Sequence, residues 1–306
     1  MLDSEITGSI SGQLEYTTRM ENGDESVTGA WNTKYKPLQQ VEEYLKSRCK
    51  DIGFDLAYDV TAKEPLFFRT LNYTTYAGFL IIHPLAWEQS MRQMQDAYAD
   101  GIKSKGHIDY IKSVIKDTDT FSKYSFNDTV KWEEPTEAVV VLPGGNKLKK
   151  HTCIGKLQKI CDRHGDNIVL KKHPVSHDEA YQELEQALNR SVWFASPNED
   201  LFHLMQQADY IYSSMLSETA LIGHVLGKKV DHFDLLQNRD TASFIHINYY
   251  LFSHADPLKW ADQTFASPKS GVVHPDIDKD WKNKIDSYLD YIMQLRSFYE
   301  DAYIWR

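Results

Sequence analysis

The sequence predicts an α/β protein whose second half is organised around a parallel β-sheet. Three observations carry this. Short apolar runs, rich in β-branched and aromatic residues, recur at 138–142, 167–170, 192–195, 210–212 and 229–233. Segments of helical length lie between most of them, and glycine, proline or polar punctuation follows the runs. Strands alternating with helices imply right-handed crossovers and a parallel sheet.

The elements follow in chain order. Residues 1–36 are rich in Gly, Ser, Thr, Asn and Glu, and alternating pieces at 13–18 and 26–31 surround Glu21-Asn22-Gly23-Asp24. Asn-Gly between alternating runs signals a hairpin, although the same composition fits a mobile tail. Residues 37–52 read as an amphipathic helix, with Leu38, Val41, Leu45 and Cys49 near helical spacing and Gly53 as its stop. Residues 54–60 and 78–83 read as strands, and 84–101 and 107–115 as helices. The polar stretch 122–135 reads as irregular, with Trp132-Glu133-Glu134-Pro135 as a linker.

Ala138-Val139-Val140-Val141-Leu142 then opens the next unit as a continuous buried strand. The loop Pro143-Gly144-Gly145-Asn146 leads into a helix at 147–164, ended by Gly165. Further helices are expected at 178–188, 200–207 and 217–226, the last stopped by Gly227, and an aromatic-rich amphipathic helix closes the chain over 279–306. The domain division expected from this pattern is 1–136, 137–275 and a C-terminal helix at 276–306.

Bulk properties narrow the function classes. With 306 residues, 42% hydrophobic and 12% aromatic, the chain can bury the cores of two ordinary domains. No run approaches the ~18 apolar residues of a membrane helix. The start Met1-Leu2-Asp3-Ser4-Glu5 lacks a secretory pattern, so a cytoplasmic protein is expected. A net charge of −10 argues against a non-specific nucleic-acid or anionic-membrane binder. The three cysteines, Cys49, Cys153 and Cys161, show no metal-ligand spacing and read as thiols in a reducing compartment.

The candidate chemistry collects where strands end, because in open parallel sheets ligands bind beyond the carboxyl ends of the strands. Lys171-Lys172-His173-Pro174 follows the strand at 167–170. Proline ends the strand, so His173 stands at the sheet edge, where an imidazole can donate to a phosphate or a nucleoside while the lysines add positive field. Plain strand punctuation is the alternative. Ser213 and Ser214 follow the strand at 210–212 and approach a helix start, where backbone N–H groups favour an anion. Ordinary capping is the alternative there. Glu218 can complement the helix dipole or accept from ribose hydroxyls. Gly144 and Gly145 let a backbone approach a ligand closely. Neither a GxGxxG fingerprint nor a P-loop is present, and HExxH and GxSxG are absent too.

Taken in order, the Gly-Gly loop, Lys-x-His-Pro, Ser-Ser-x-x-x-Glu and Gly-Lys-Lys-Val make residues 138–233 resemble the nucleotide-binding domain of GT-B glycosyltransferases. The resemblance is to the group with His-Pro and Ser-Ser/Thr motifs: bacterial sialyl- and polysialyltransferases, capsule Kdo transferases and teichoic acid polymerases. It implies two Rossmann-type domains facing a cleft, with a C-terminal helix returning to the first. It further implies that His173, Ser213 and Ser214 contact the nucleotide and its phosphates; Gly144, Gly145, Lys171 and Glu218, by the reading of the residues above, complete the expected donor site.

The resulting expectation is transfer of a sugar from a UDP- or CMP-linked donor to an acceptor hydroxyl, with no cofactor and no metal. The leaving diphosphate would be stabilised by protein donors. The acidic Asp/Glu-Asp/Glu-Gly base motif of the sialyltransferases is missing. Asp59, His83 and Asp96 are therefore the candidates for a general base. The acceptor is expected to be a surface saccharide. Rival readings are a bacteriophage-type DNA glycosyltransferase acting on a hydroxymethylated base, a nucleotide-sugar 2-epimerase, and a non-catalytic sugar-nucleotide binding module.

Overall fold

The computed structural model describes residues 4–7, 15–19, 25–31, 40–41, 43–44, 47–48, 69–75, 78–82, 92, 95–115, 124–125, 130–143, 148, 152–173, 178–215, 217–234, 248, 251–268, 270 and 272–301. The elements begin with strands β1 (Ser4–Thr7), β2 (Glu15–Arg19), β3 (Glu25–Trp31), β4 (Arg69–Thr75) and β5 (Gly78–Ile82). Helix α1 (His107–Val114), β6 (Tyr124–Ser125), β7 (Ala138–Val141), α2 (Ile154–His164) and β8 (Ile168–Lys171) come next. Then follow α3 (Asp178–Leu188), β9 (Trp193–Ala195), α4 (Leu201–Gln207), β10 (Tyr210–Ser213), α5 (Thr219–Val225) and β11 (Lys229–His232). The chain closes with α6 (Pro257–Phe265), β12 (Val272–Val273) and α7 (Trp281–Asp301). It divides into two compact units, Met1–Asn32 with Ile115–Phe252, and Thr33–Val114 with Ser253–Arg306.

The first unit contains the parallel sheet the sequence predicts. Its five strands lie in the order β11-β10-β7-β8-β9, and every pairing is parallel. From β7 the chain moves outward through β8 to β9, then crosses back to build β10 and β11 on the other side. The reversal falls between β7 and β10, and a crevice at such a point is where open α/β sheets bind ligands.

Burial on both faces explains the continuous apolar strands. Ala138, Val140, Ile168, Leu170 and Tyr212 pack with Leu157, Ile160 and Cys161 of α2 and with Tyr181, Leu184 and Leu188 of α3. On the opposite face α5 lies so close that a Cβ at Gly223 would meet Val230 Cγ2 at 2.8 Å and Ile211 Cβ at 3.5 Å. The edge strand β11 alternates exposed Lys229 and Asp231 with half-buried Val230 and His232, a charged edge that resists further strand pairing.

The helix expected at 147–164 is interrupted: Leu148 is helical and accepts from the Thr152 N–H at 3.2 Å, and α2 itself begins at Ile154. Thr152 forms an antiparallel bridge with Asp234, and the Cys153 N–H donates to the Phe233 carbonyl at 3.1 Å, so these two residues are drawn into extended backbone. This places Cys153 at the helix start, partly exposed, while Cys161 is buried. Gly165 ends α2 at φ 59°. The first unit also contains an antiparallel sheet of order β1-β2-β3-β6. The strands on either side of Asn22-Gly23 pair antiparallel, with Arg19 opposite Glu25, while residues 20–24 lie outside the described residues. Tyr124–Ser125, expected to be irregular, pairs with β3.

In the second unit the described strands form the sheet β12-β5-β4, and both pairings are antiparallel. No second parallel sheet occurs among the described residues. Helix α7 is tied to the segment at 44–48: the Tyr44 hydroxyl donates to Asp286 at 2.9 Å and Arg48 Nε at 2.7 Å. No helix among the described residues is long and apolar enough to cross a membrane.

Candidate functional site

Because the strands run parallel and in register, the segments that leave β7, β8, β10 and β11 emerge on one edge of the sheet. Leu142 and Pro143, leaving β7, are buried. Gly144 and Gly145, expected to approach the donor, lie outside the described residues.

Leaving β8, Lys171 is buried, and its ammonium donates to three carbonyls, Ser196 at 2.8 Å, Pro197 at 2.9 Å and Lys172 at 3.1 Å. Burial drives its pKa down to about 7, against the opposing pull of Glu199 and Asp200. Its protons thus hold the β9 exit loop in place, and any effect on a ligand comes through its charge. Lys172 pairs with Asp178 at 2.5 Å and lies over the Tyr181 ring. His173 is half-buried, and its backbone N–H donates to the Tyr181 hydroxyl at 2.8 Å. That bond fixes the backbone at the strand exit without using the imidazole.

Leaving β10, Ser213 and Ser214 are fully buried. The Ser213 hydroxyl shares a 2.6 Å hydrogen bond with Thr219 Oγ1 and reaches the Ser214 carbonyl at 3.1 Å. The Ser214 hydroxyl donates to Asp234 Oδ2 at 2.8 Å, and the same oxygen accepts the Met215 N–H. Ser217 caps α5, its hydroxyl accepting from the Thr219 N–H at 3.2 Å. Glu218 is buried at the start of α5 and makes no side-chain cap bond.

Two residues that sequence reasoning missed clasp this turn. Asn248 donates to the Met215 carbonyl at 2.9 Å and the Ser217 carbonyl at 2.7 Å, while Asp234 accepts from Ser214 and Met215. Asp234 is 6% exposed, and burial pushes its pKa up to about 6 although Ser214, Met215 and Lys156 all favour the carboxylate. A signal for Asp234 was available, since it follows the strand at 229–232 as His173 follows its own. Asn248 carries no such signal.

Of the candidate bases only Asp96, in the second unit, is among the described residues. Asp96 is exposed on a helical turn, whereas Asp59 and His83 lie outside the described residues. The same unit has a buried charged cluster at the start of α7. Asp278 lies 2.8 Å from Lys105, 3.6 Å from Lys284 and 3.8 Å from His107. His274, also fully buried, has its pKa driven down to about 3 by burial and by His107. His274-Pro275 follows β12 with the same strand–His–Pro order as His173-Pro174, a pattern the sequence already contained.

Among the described residues no three His, Cys, Asp or Glu side chains cluster as a metal-ligand set. The chain matches no protein-family model and no curated protein.

Proposed function

We propose that the chain is a nucleotide-sugar-dependent glycosyltransferase of GT-B type, moving a sugar from a UDP- or CMP-linked donor to an acceptor hydroxyl. The observation that carries this reading is the strand order β11-β10-β7-β8-β9, with its reversal between β7 and β10. The residues that the GT-B resemblance assigns to the donor, His173, Ser213 and Ser214, stand at strand exits on the edge of that sheet where open α/β folds bind ligands. The pairing of α7 with Tyr44 and Arg48 also agrees with a C-terminal helix that returns to the first half of the chain.

In this reading the β10–α5 turn receives the diphosphate, with Ser213 and Ser214 as its frame. His173 donates to a phosphate or to the nucleoside, and Lys171 contributes charge from behind the edge. Gly144 and Gly145 allow close approach, and Glu218 serves the ribose. Protein dipoles and cations stabilise the leaving group, so turnover needs no resident metal. The acceptor and the general base, drawn from Asp59, His83 and Asp96, belong to the second unit, and the acceptor is a saccharide.

A panel of UDP- and CMP-linked sugars tests the reading, with nucleotide release followed with and without saccharide or hydroxymethylated-DNA acceptors in the presence of a chelator. Release that requires the saccharide supports it. Release that requires the DNA reassigns the acceptor, and interconversion of the sugar without release indicates an epimerase. Binding without turnover indicates a binding module, and absence of nucleotide binding overturns the reading.

A further inference from the structure

The clasp around Met215 leaves polar atoms unused. Asp234 spends Oδ2 on Ser214 and Met215, but no described residue donates to its Oδ1. Asn248 spends Nδ2 on two carbonyls, but no described residue donates to its Oδ1 either. Thr152, bridged to Asp234 through the backbone, has a buried hydroxyl with no partner among the described residues. All three side chains are more than nine-tenths buried. A buried polar atom without a partner costs free energy, more so on a carboxylate, and a fold that needed only to brace the turn would do better with a neutral residue.

We infer that Asp234 Oδ1 is an acceptor for hydroxyl groups of the donor bound at this sheet edge, with Asn248 Oδ1 and the Thr152 hydroxyl as further buried acceptors on residues tied to the same turn or to Asp234 itself. The inference rests on the donor reading given above. The subsite chemistry is specific: two of the three atoms only accept, and the third can either accept or donate. The ligand must therefore supply donors, and the polyol parts of a nucleotide sugar, its ribose or its transferred sugar, do so. Phosphate oxygens would be repelled.

Asp234→Asn separates this role from bracing. An asparagine can put its carbonyl oxygen where Oδ2 accepts from Ser214 and Met215, and its NH2 then stands where Oδ1 was, turning an acceptor into a donor. The turn is kept and the subsite is inverted. The stability of the variant reads the bracing role. The folded pKa of Asp234, about 6, lies above the ordinary 3.8, so its contribution to stability is full below the ordinary value and is lost as pH rises through 6. The titratable groups on the elements around it are Cys153, Lys156, Glu218, Asp231 and His232, of which only Lys156 acts on its charge. Asp234→Asn should accordingly melt higher than wild type at pH 7.5, with the advantage shrinking at pH 5.

Calorimetric titration of wild type and Asp234→Asn with UDP, 2′,3′-dideoxy-UDP and UDP-glucose, and with the CMP counterparts, decides the matter. The expected result is a loss of about 10- to 100-fold in affinity for a hydroxyl-bearing probe, the worth of a charge-assisted hydrogen bond. If the loss is seen with UDP and absent with the dideoxy form, the hydroxyls are those of the ribose. If it is seen only with UDP-glucose, they are those of the sugar. A folded Asp234→Asn protein that binds every probe as wild type does overturns the subsite alone. Wild-type protein that binds none of the nucleotides overturns the donor reading and the subsite with it. Should Asp234→Asn fail to fold, Thr152→Val serves instead: a several-fold weaker affinity supports the subsite, and unchanged affinity overturns it.

Discussion

Lys284 and Asp278 face one another 3.6 Å apart, and both side chains are almost wholly shut off from solvent. Lys284 also donates to the Phe265 carbonyl at 2.7 Å, which ties the first turn of α7 to the end of α6. Burial lowers its pKa to about 8 even with the carboxylate beside it. Burial alone would raise the Asp278 carboxyl, but Lys284, Lys105 and His107 outweigh it and leave the group below its ordinary value.

Asp278→Asn should therefore cost about 3–5 kcal/mol, because it strands a buried ammonium. Urea unfolding at pH 7 measures this, and an unchanged midpoint would show that the pair contributes nothing. The depressed carboxyl sets the pH dependence. Its contribution is present above the ordinary carboxylate pKa and is lost as pH falls through the lower folded value.

Gly223 is the point of closest approach between α5 and the sheet. A methyl group there meets Val230 Cγ2 at 2.8 Å, and a β-branched side chain cannot swing away cheaply. Gly223→Ala should destabilise the first unit by about 1–3 kcal/mol despite its better helix propensity. Thermal denaturation of the variant checks this, and a rise in Tm would mean that the helix can shift without penalty.

Lys171 gives a test by alkali. Its folded pKa is about 7 and its ordinary value 10.5, so between these the unfolded chain binds the extra proton. Stability should rise across that window by an amount on the order of a few kcal/mol. Lys171→Met should remove this share of the slope and also lower stability at pH 7, since three carbonyls lose their donor. A variant whose stability follows that of wild type with pH would show that the ammonium remains charged in place.

His173→Ala should leave stability within about 1 kcal/mol, because the side chain is only half-buried and the backbone N–H bond to Tyr181 is kept. Nucleotide affinity or turnover should fall at least several-fold if the imidazole touches the donor. Circular dichroism together with a binding titration reads both. Loss of fold without a separate loss of binding would make the residue structural.

The parallel sheet was legible because its strands are short, its central strands are apolar, and helical segments separate them. Gly165, Gly227 and the proline after His173 mark boundaries within three residues of where the elements end. The start of α2 was not legible. Thr152 and Cys153 pair with Asp234 and Phe233, eighty positions further on, and that tertiary pairing interrupts the helix that local composition favours. Strand β4 hid in a polar run, Arg-Thr-Leu-Asn-Tyr-Thr-Thr, and β12 has only two residues. At the candidate site, residues at strand exits could be found from the sequence. Asn248 could not, because its role depends on where a segment without periodicity comes to rest. Nor could the inward direction of the Ser213 and Ser214 hydroxyls be read, since Ser-Ser looks the same whether its partner is a ligand or Asp234.

Strand β5 is the middle member of its sheet only because β12, nearly two hundred residues later, pairs with it through Leu80 and Phe79. A ribosome therefore releases residues 33–114 well before the chain that completes their unit, while residues 115–252 can condense in the interval. Until synthesis reaches Val273, one hydrogen-bonding edge of an apolar strand stays open to any other nascent chain. Premature termination near residue 270 should consequently yield aggregate rather than a shortened native protein, and expression at low temperature or with chaperones should favour recovery of the full chain.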